Sequence, residues 1–168
     1  MSLTTGHWNT LGNATFLKAQ FTRNLAAGEK LIGSEFELSF DEYPELTVMV
    51  RSAQMPQMAR HNVEDFGAMG LGFEQHGTLE NKGEITVSCV ETIQGDVYKA
   101  LREMVKDKKY VTVTMRATPE SQAGISPAAL KFKLQHCKIR VDATDFSTED
   151  TTALVKPSIT ITYNWVDL

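Results

Sequence analysis

Residues 61 to 83 read HNVEDFGAMGLGFEQHGTLENKG, and the crowding of two histidines, several carboxylates and a run of glycines invites a chemical reading. His61, Glu64 and Asp65, with His76 further along, supply the nitrogen and oxygen donors that a metal ion takes. Their spacing matches no recognised ligand pattern, so solvated or interface groups are the expected reading. Gly67, Gly70 and Gly72 could cradle a phosphate only at a strand-to-helix turn, where amides at the helix start face the anion; here a strand-like run follows. His136 and Cys137 are neighbours on a strand-like run and point to opposite faces, which prevents a thiolate and base pairing with each other. Ser121 and Ser126 lie in no GxSxG elbow. Tyr163 and Trp165 share one face of the last strand and could form an aromatic platform, but Ile159 and Ile161 continue that face, so core packing is expected. No catalytic, cofactor-binding or metal-ligating residue is assigned.

The elements that carry these residues are mostly strands. In SEFELSF, Phe36, Leu38 and Phe40 alternate with Glu35, Glu37 and Ser39, the period of a half-buried strand. After a turn at Pro44, LTVMVRSA sets Leu46, Val48 and Val50 against Thr47, Met49 and Arg51, and the two runs predict a β-hairpin. GEITVSCV alternates Ile85, Val87 and Cys89 with Glu84, Thr86 and Ser88, and YVTVTMR does so with Val111, Val113 and Met115. Between them, residues 95–107 place Val97, Leu101, Met104 and Val105 at helical spacing and end in lysines that suit the helix dipole. In ALKFKLQHCKIRVDA the apolar phase slips from Leu130, Phe132 and Leu134 to Cys137, Ile139 and Val141, as at a bulge or bend that lets one strand serve two sheets. Without βαβ alternation, the expected fold is mainly β: an antiparallel sandwich or partly closed barrel with one flanking α-helix and a long inter-strand loop.

At 168 residues and 42% hydrophobic content, a single domain over residues 1–168 can bury a core without metals or disulfides. Residues 1–33 form an N-terminal extension in which ATFLKAQFTRNLAAGEKL fits a helix only loosely. Cys89 and Cys137 make no CxxC pair and read as small buried hydrophobes. The formal charge of −4 gives no reason to expect tight nucleic-acid binding. No window has the length and apolarity of a membrane helix, and the chain start is neither basic nor apolar, so a cytosol-like space is expected.

Residues 54–82 exceed an ordinary hairpin connection, and such loops usually function. They carry Met55, Met58, Phe66, Met69, Leu71 and Phe73 without clear periodicity. Free in water, that much apolar area marks a protein contact surface, so the loop is expected to reach a neighbouring subunit. Trp8, Phe16 and Phe21 in the extension are further contact candidates.

In order, the strand ending near SAQMPQ, the loop VEDFGAMGLGFEQHGTLE, the strand GEITVSCVET, the helix GDVYKALREMVKDK and the strand KYVTVTMR resemble the tail tube proteins of contractile-tailed bacteriophages, best over residues 34–168. The resemblance implies a non-catalytic structural protein without cofactor or metal. It implies a homo-hexameric ring whose inner sheets join into one lumen, and rings stacked into a tube through which DNA passes unbound. Tail sheath, baseplate and tail terminator proteins would be partners, and the virion tail the location after assembly in the host cytoplasm. By position, the inter-subunit loop of that family corresponds to residues 54–82. The related type VI secretion tube protein is an alternative. From another class, a small β-barrel binding protein or enzyme would use His61, His76 and Tyr163 around a cavity.

Overall fold

A computed structural model describes residues 12–168. The chain divides into two compact units, Met1–Gly33 and Ser34–Leu168. In the first, α1 (Ala14–Ala26) starts where the Asn13 side chain accepts a bond from the Phe16 amide at 2.9 Å. None of its residues is buried, and Phe16, Leu17, Phe21 and Leu25 are exposed. Trp8 lies outside the described residues.

The second unit is a seven-stranded antiparallel sheet curled around one core. Its strands are β1 (Phe36–Phe40), β2 (Val50–Ala53), β5 (Gly83–Cys89), β6 (Val111–Ala117), β7 (Lys131–Val141), β8 (Ser158–Tyr163) and β9 (Trp165–Asp167). They run in the order β1-β6-β7-β8-β5-β2, with β9 on β7. Strict alternation buries Ile85, Val87 and Cys89 on β5, Val111, Val113 and Met115 on β6, and Ile159, Ile161 and Tyr163 on β8. Helix α2 (Asp96–Lys106) closes this core with Val97, Ala100, Leu101 and Met104. The Glu91 carboxylate accepts from the amides of Val97 (3.0 Å) and Tyr98 (2.7 Å), satisfying donors that the first helical turn leaves free. Val105, expected on the buried face, is exposed, and Ala100 takes that place.

The phase slip in β7 is real. His136 adopts φ 53°, and the pairing with β6 shifts between Val111↔Cys137 and Val113↔Leu134. The first half of the strand pairs with β6 and β9, and the second half, Lys138–Val141, pairs with β8. Both cysteines are buried and unbridged. Burial pushes the thiols up, to about 11 for Cys89 and about 12 for Cys137.

The expected hairpin of residues 34–53 does not form. β1 pairs with β6 and β2 with β5, and Pro44–Met49 winds as a 3-10 helix between them. Three-residue spacing explains the difference: Tyr43 and Leu46 are buried and Met49 packs on the core, and a 3-10 helix stacks i and i+3 on one side. Val48, which alternation would bury with Leu46, is 70% exposed, and Thr47 and Met49 belong to no sheet face. The last strand also departs from expectation. Asn164 interrupts it, its backbone N–H reaching Gln135 O at 3.3 Å, so Val166 is buried where the phase resumes and Trp165 faces outward.

Candidate functional site

Residues 54–82 are not a structureless loop. They contain β3 (Arg60–Phe66) and β4 (Gly72–Leu79), a two-stranded antiparallel hairpin, which we call the arm. Its strands are hydrogen-bonded to each other and, among the described residues, to no other strand, and every residue of β3 is exposed. The turn runs through Gly67, whose N–H bonds to Leu71 O at 2.9 Å, and through Met69 and Gly70 at φ 59° and 71°. Gly70 supplies the left-handed backbone, which explains one of the three glycines without any phosphate. Gly77 is needed for room: a Cβ there would lie 2.8 Å from the Val63 methyl and 2.9 Å from His61 O.

All six apolar residues singled out in this segment lie on the surface. Met55 and Met58 precede β3, Phe66 and Phe73 are 66% and 59% exposed on the strands, and Met69 and Leu71 occupy the tip. One face of the arm carries Asn62, Glu64 and Phe66 opposite His76, Glu74 and Gly72; the other carries Asp65 opposite Phe73. Glu64 and Glu74 are directly opposed, and like charges directly opposite one another destabilise a ladder. Acidic and apolar residues are mixed on both faces of this ladder, so the sequence shows no period of two from which its strands could be read.

His61 and His76 stand apart from one another. His61 Nδ1 lies 3.5 Å from Glu80 Oε1, whereas His76 stands across the ladder from Asn62. Among the described residues no three His, Cys, Asp or Glu side chains converge as ligands. Tyr163 does not join the histidines around a cavity. It is a core residue, 1% exposed, whose buried hydroxyl has no partner among the described residues and lies where a Cβ on Gly83 would meet it at 2.5 Å. Burial is also the main reason its phenol is pushed up. A groove of about 730 Å³ does open elsewhere, between β1 and the 3-10 segment, lined by Leu38, Val48, Val50, Arg116, Ile125 and Lys131.

A second surface is the polar face of the strands β2, β5, β8 and β7. Cross-strand rows run Glu84–Thr162–Lys138 and Thr86–Thr160–Arg140, with Ser88 opposite Ser158. Thr160 Oγ1 donates to Asp142 Oδ2 at 3.3 Å, and Arg140 bonds the same carboxylate at 2.9 Å. These short hydroxyl and charged side chains form a face that water can wet, on strands whose other face is core. Beyond β2 no further strand pairs among the described residues.

No protein-family model matches the sequence, and no curated protein matches it. Solved structures do resemble it. A chain of the sheath–tube complex of an extracellular contractile injection system (PVC), in the extended state, superposes with TM-score 0.64 at 14% identity, covering 87% of this chain and 95% of that one. A chain of the sheath/tube terminator of that system gives 0.66 at 12% identity over 83% and 96%. A chain of the tube-terminating cap of the anti-feeding prophage gives 0.60 at 14% identity over 83% and 90%. At such identities the likeness is one of fold, and the fold of this chain is that of components of contractile injection systems.

Proposed function

We propose that the protein is a non-catalytic structural subunit of the tube of a contractile injection machine, closing with five further copies into a ring that stacks on others. The observation that carries this reading is the nearly full-length structural likeness, which leaves no more than a tenth of each of the three compared chains unaccounted for. The edge of β2, unpaired among the described residues, supports it, because a ring satisfies such edges by pairing them with the next copy. The exposed apolar arm supports it too; the proposed subunit contacts are Phe66, Met69, Leu71 and Phe73 of the arm, Met55 and Met58 before it, and Phe16 of α1.

Within this reading the machine is a contractile phage tail whose lumen conducts DNA, with sheath, baseplate and terminator proteins as partners. A formal charge of −4 and a hydroxyl-rich sheet face favour passage without adhesion. An extracellular or type VI injection tube is the alternative. The likeness to terminator and cap chains favours a further variant, a single ring that ends the tube. Negative-stain microscopy of the purified protein at rising concentration tests all of them. Long tubes of six-fold rings are expected for the tube subunit and isolated rings for a terminator. A protein that stays monomeric throughout, including with sheath or baseplate partners added, is neither.

A further inference from the structure

The outer face of the strands β6, β7 and β9 is basic although the chain is acidic, as is the exposed stripe Lys99, Arg102 and Lys106 of α2. Lys131 and Lys133 point outward from β7 between the buried Phe132 and Leu134, and Arg116 of β6 stands directly opposite Lys131. Arg116 is engaged by Glu37 at 2.9 Å, whereas neither lysine has a carboxylate within 4.0 Å among the described residues. Asp167, the residue opposite Lys133, is committed elsewhere: it accepts from Gln135 Nε2 at 2.9 Å and from the Trp165 indole N–H at 2.8 Å. Trp165 is thus held in one orientation by hydrogen bonds while its ring stays 45% exposed. A large aromatic fixed before any partner arrives loses little freedom on binding, which is the profile of an interface anchor.

The arm carries the complement. From Arg60 to Leu79 it has three carboxylates, Glu64, Asp65 and Glu74, against one cation, Arg60, which sits at the base and donates to Gly77 O at 3.2 Å. Glu64 and Glu74 oppose each other across the ladder without a counter-ion among the described residues, with Phe66 on the same face. A cation placed over that pair relieves their repulsion, and an aromatic beside it covers Phe66.

We propose that the arm of one copy docks on the β6–β7–β9 face of a second copy, with Lys131 and Lys133 over Glu64 and Glu74 and Trp165 against Phe66. This rests on the assembly reading above and names the surface that the arm seeks. The occupant is another copy because the acidic, aromatic partner that the face requires is present on the chain itself.

Charge reversal tests it. Glu64→Lys with Glu74→Lys, or Lys131→Glu with Lys133→Glu, should each raise the concentration needed for assembly at least tenfold, read by sedimentation and negative-stain microscopy. All four sites are exposed, so thermal melting of the monomer should not move. The chain carrying all four reversals should assemble again near the wild-type concentration, and wild-type assembly should weaken as salt screens the pairs. Assembly of wild type with no effect of either reversal overturns this docking alone. Rescue of the arm reversal by Lys99→Glu, Arg102→Glu and Lys106→Glu overturns it in favour of the basic stripe on α2. A wild-type chain that never assembles removes the assembly reading and this docking together.

Discussion

The arm and the β5–β8 ladder are both antiparallel, yet they are held by different physics. In β5 and β8 every second residue is buried, so their pairing is reinforced by Ile85 against Ile161 and Val87 against Ile159 within one core. In β3 and β4 no side chain is buried, and the ladder has only its own hydrogen bonds and cross-strand neighbours. Isolated two-stranded hairpins are marginal in water. The contrast separates residues that specify the fold from residues that the fold presents to something else, although both sets are apolar and β-prone.

Substitutions should divide along the same line. Ile161→Ala, in the fully buried centre of β8, should cost about 2–5 kcal/mol in chemical denaturation, the cost of a cavity in a packed core. Gly83→Ala should cost about 1–3 kcal/mol, because its Cβ would lie 2.5 Å from the Tyr163 hydroxyl. Gly77→Ala is crowded to a similar degree, but in the arm, so amide exchange should speed up in β3 and β4 while the global melting temperature stays put. If both glycine variants shift the global transition equally, the arm and the core form one cooperative unit and the contrast is wrong.

The remaining effects are smaller. At high pH the body should weaken. The thiols of Cys89 and Cys137 hold their protons to about 11 and 12, whereas in the unfolded chain they ionise near 9.0. Above pH 9 the unfolded state therefore binds fewer protons, and stability contributed by the protonated thiols is progressively lost towards pH 11 to 12. Replacing both cysteines with alanine should flatten that part of the pH profile. Tyr163→Phe removes a buried hydroxyl without a partner, so it should change stability by no more than about 1 kcal/mol, in the stabilising direction. Phe73→Ala in the arm should stay within about 0.5 kcal/mol of wild type by denaturation, although assembly should suffer.

What was legible in the sequence follows from whether burial and local period agree. β5, β6 and β8 have one clean apolar phase each and were read correctly, as was the bulge in β7, where the phase slips at His136; the helix α2 was found, but with Val105 in place of Ala100 on its buried face. The stretch Pro44–Met49 deceived because Leu46, Val48 and Val50 satisfy a period of two while Tyr43, Leu46 and Met49 satisfy a period of three, and core contacts decided for the latter. Trp165 was placed in the core by extending an alternation across Asn164, a break visible only through tertiary hydrogen bonds such as Asn81 Nδ2 to Asn164 O at 2.8 Å. The exposure of the arm's apolar residues was legible from the length of the segment. Its strand pairing was not, because no core enforces it, and neither was the cationic face built by β6, β7 and β9, whose members lie far apart along the chain.

The double membership of β7 has a mechanical meaning. Because Lys131–Leu134 is laced to β6 and Lys138–Val141 to β8, a pull along β7 loads both sets of bonds side by side, in shear, and they must fail together. A force that spreads the base of the arm, drawing Arg60 and Leu79 apart, instead opens the β3–β4 pairs one after another, from Arg60↔Leu79 toward Phe66↔Gly72. The same chain thus contains a stiff tie and a compliant zipper, and a load that separates the two roots of the arm would open the zipper first.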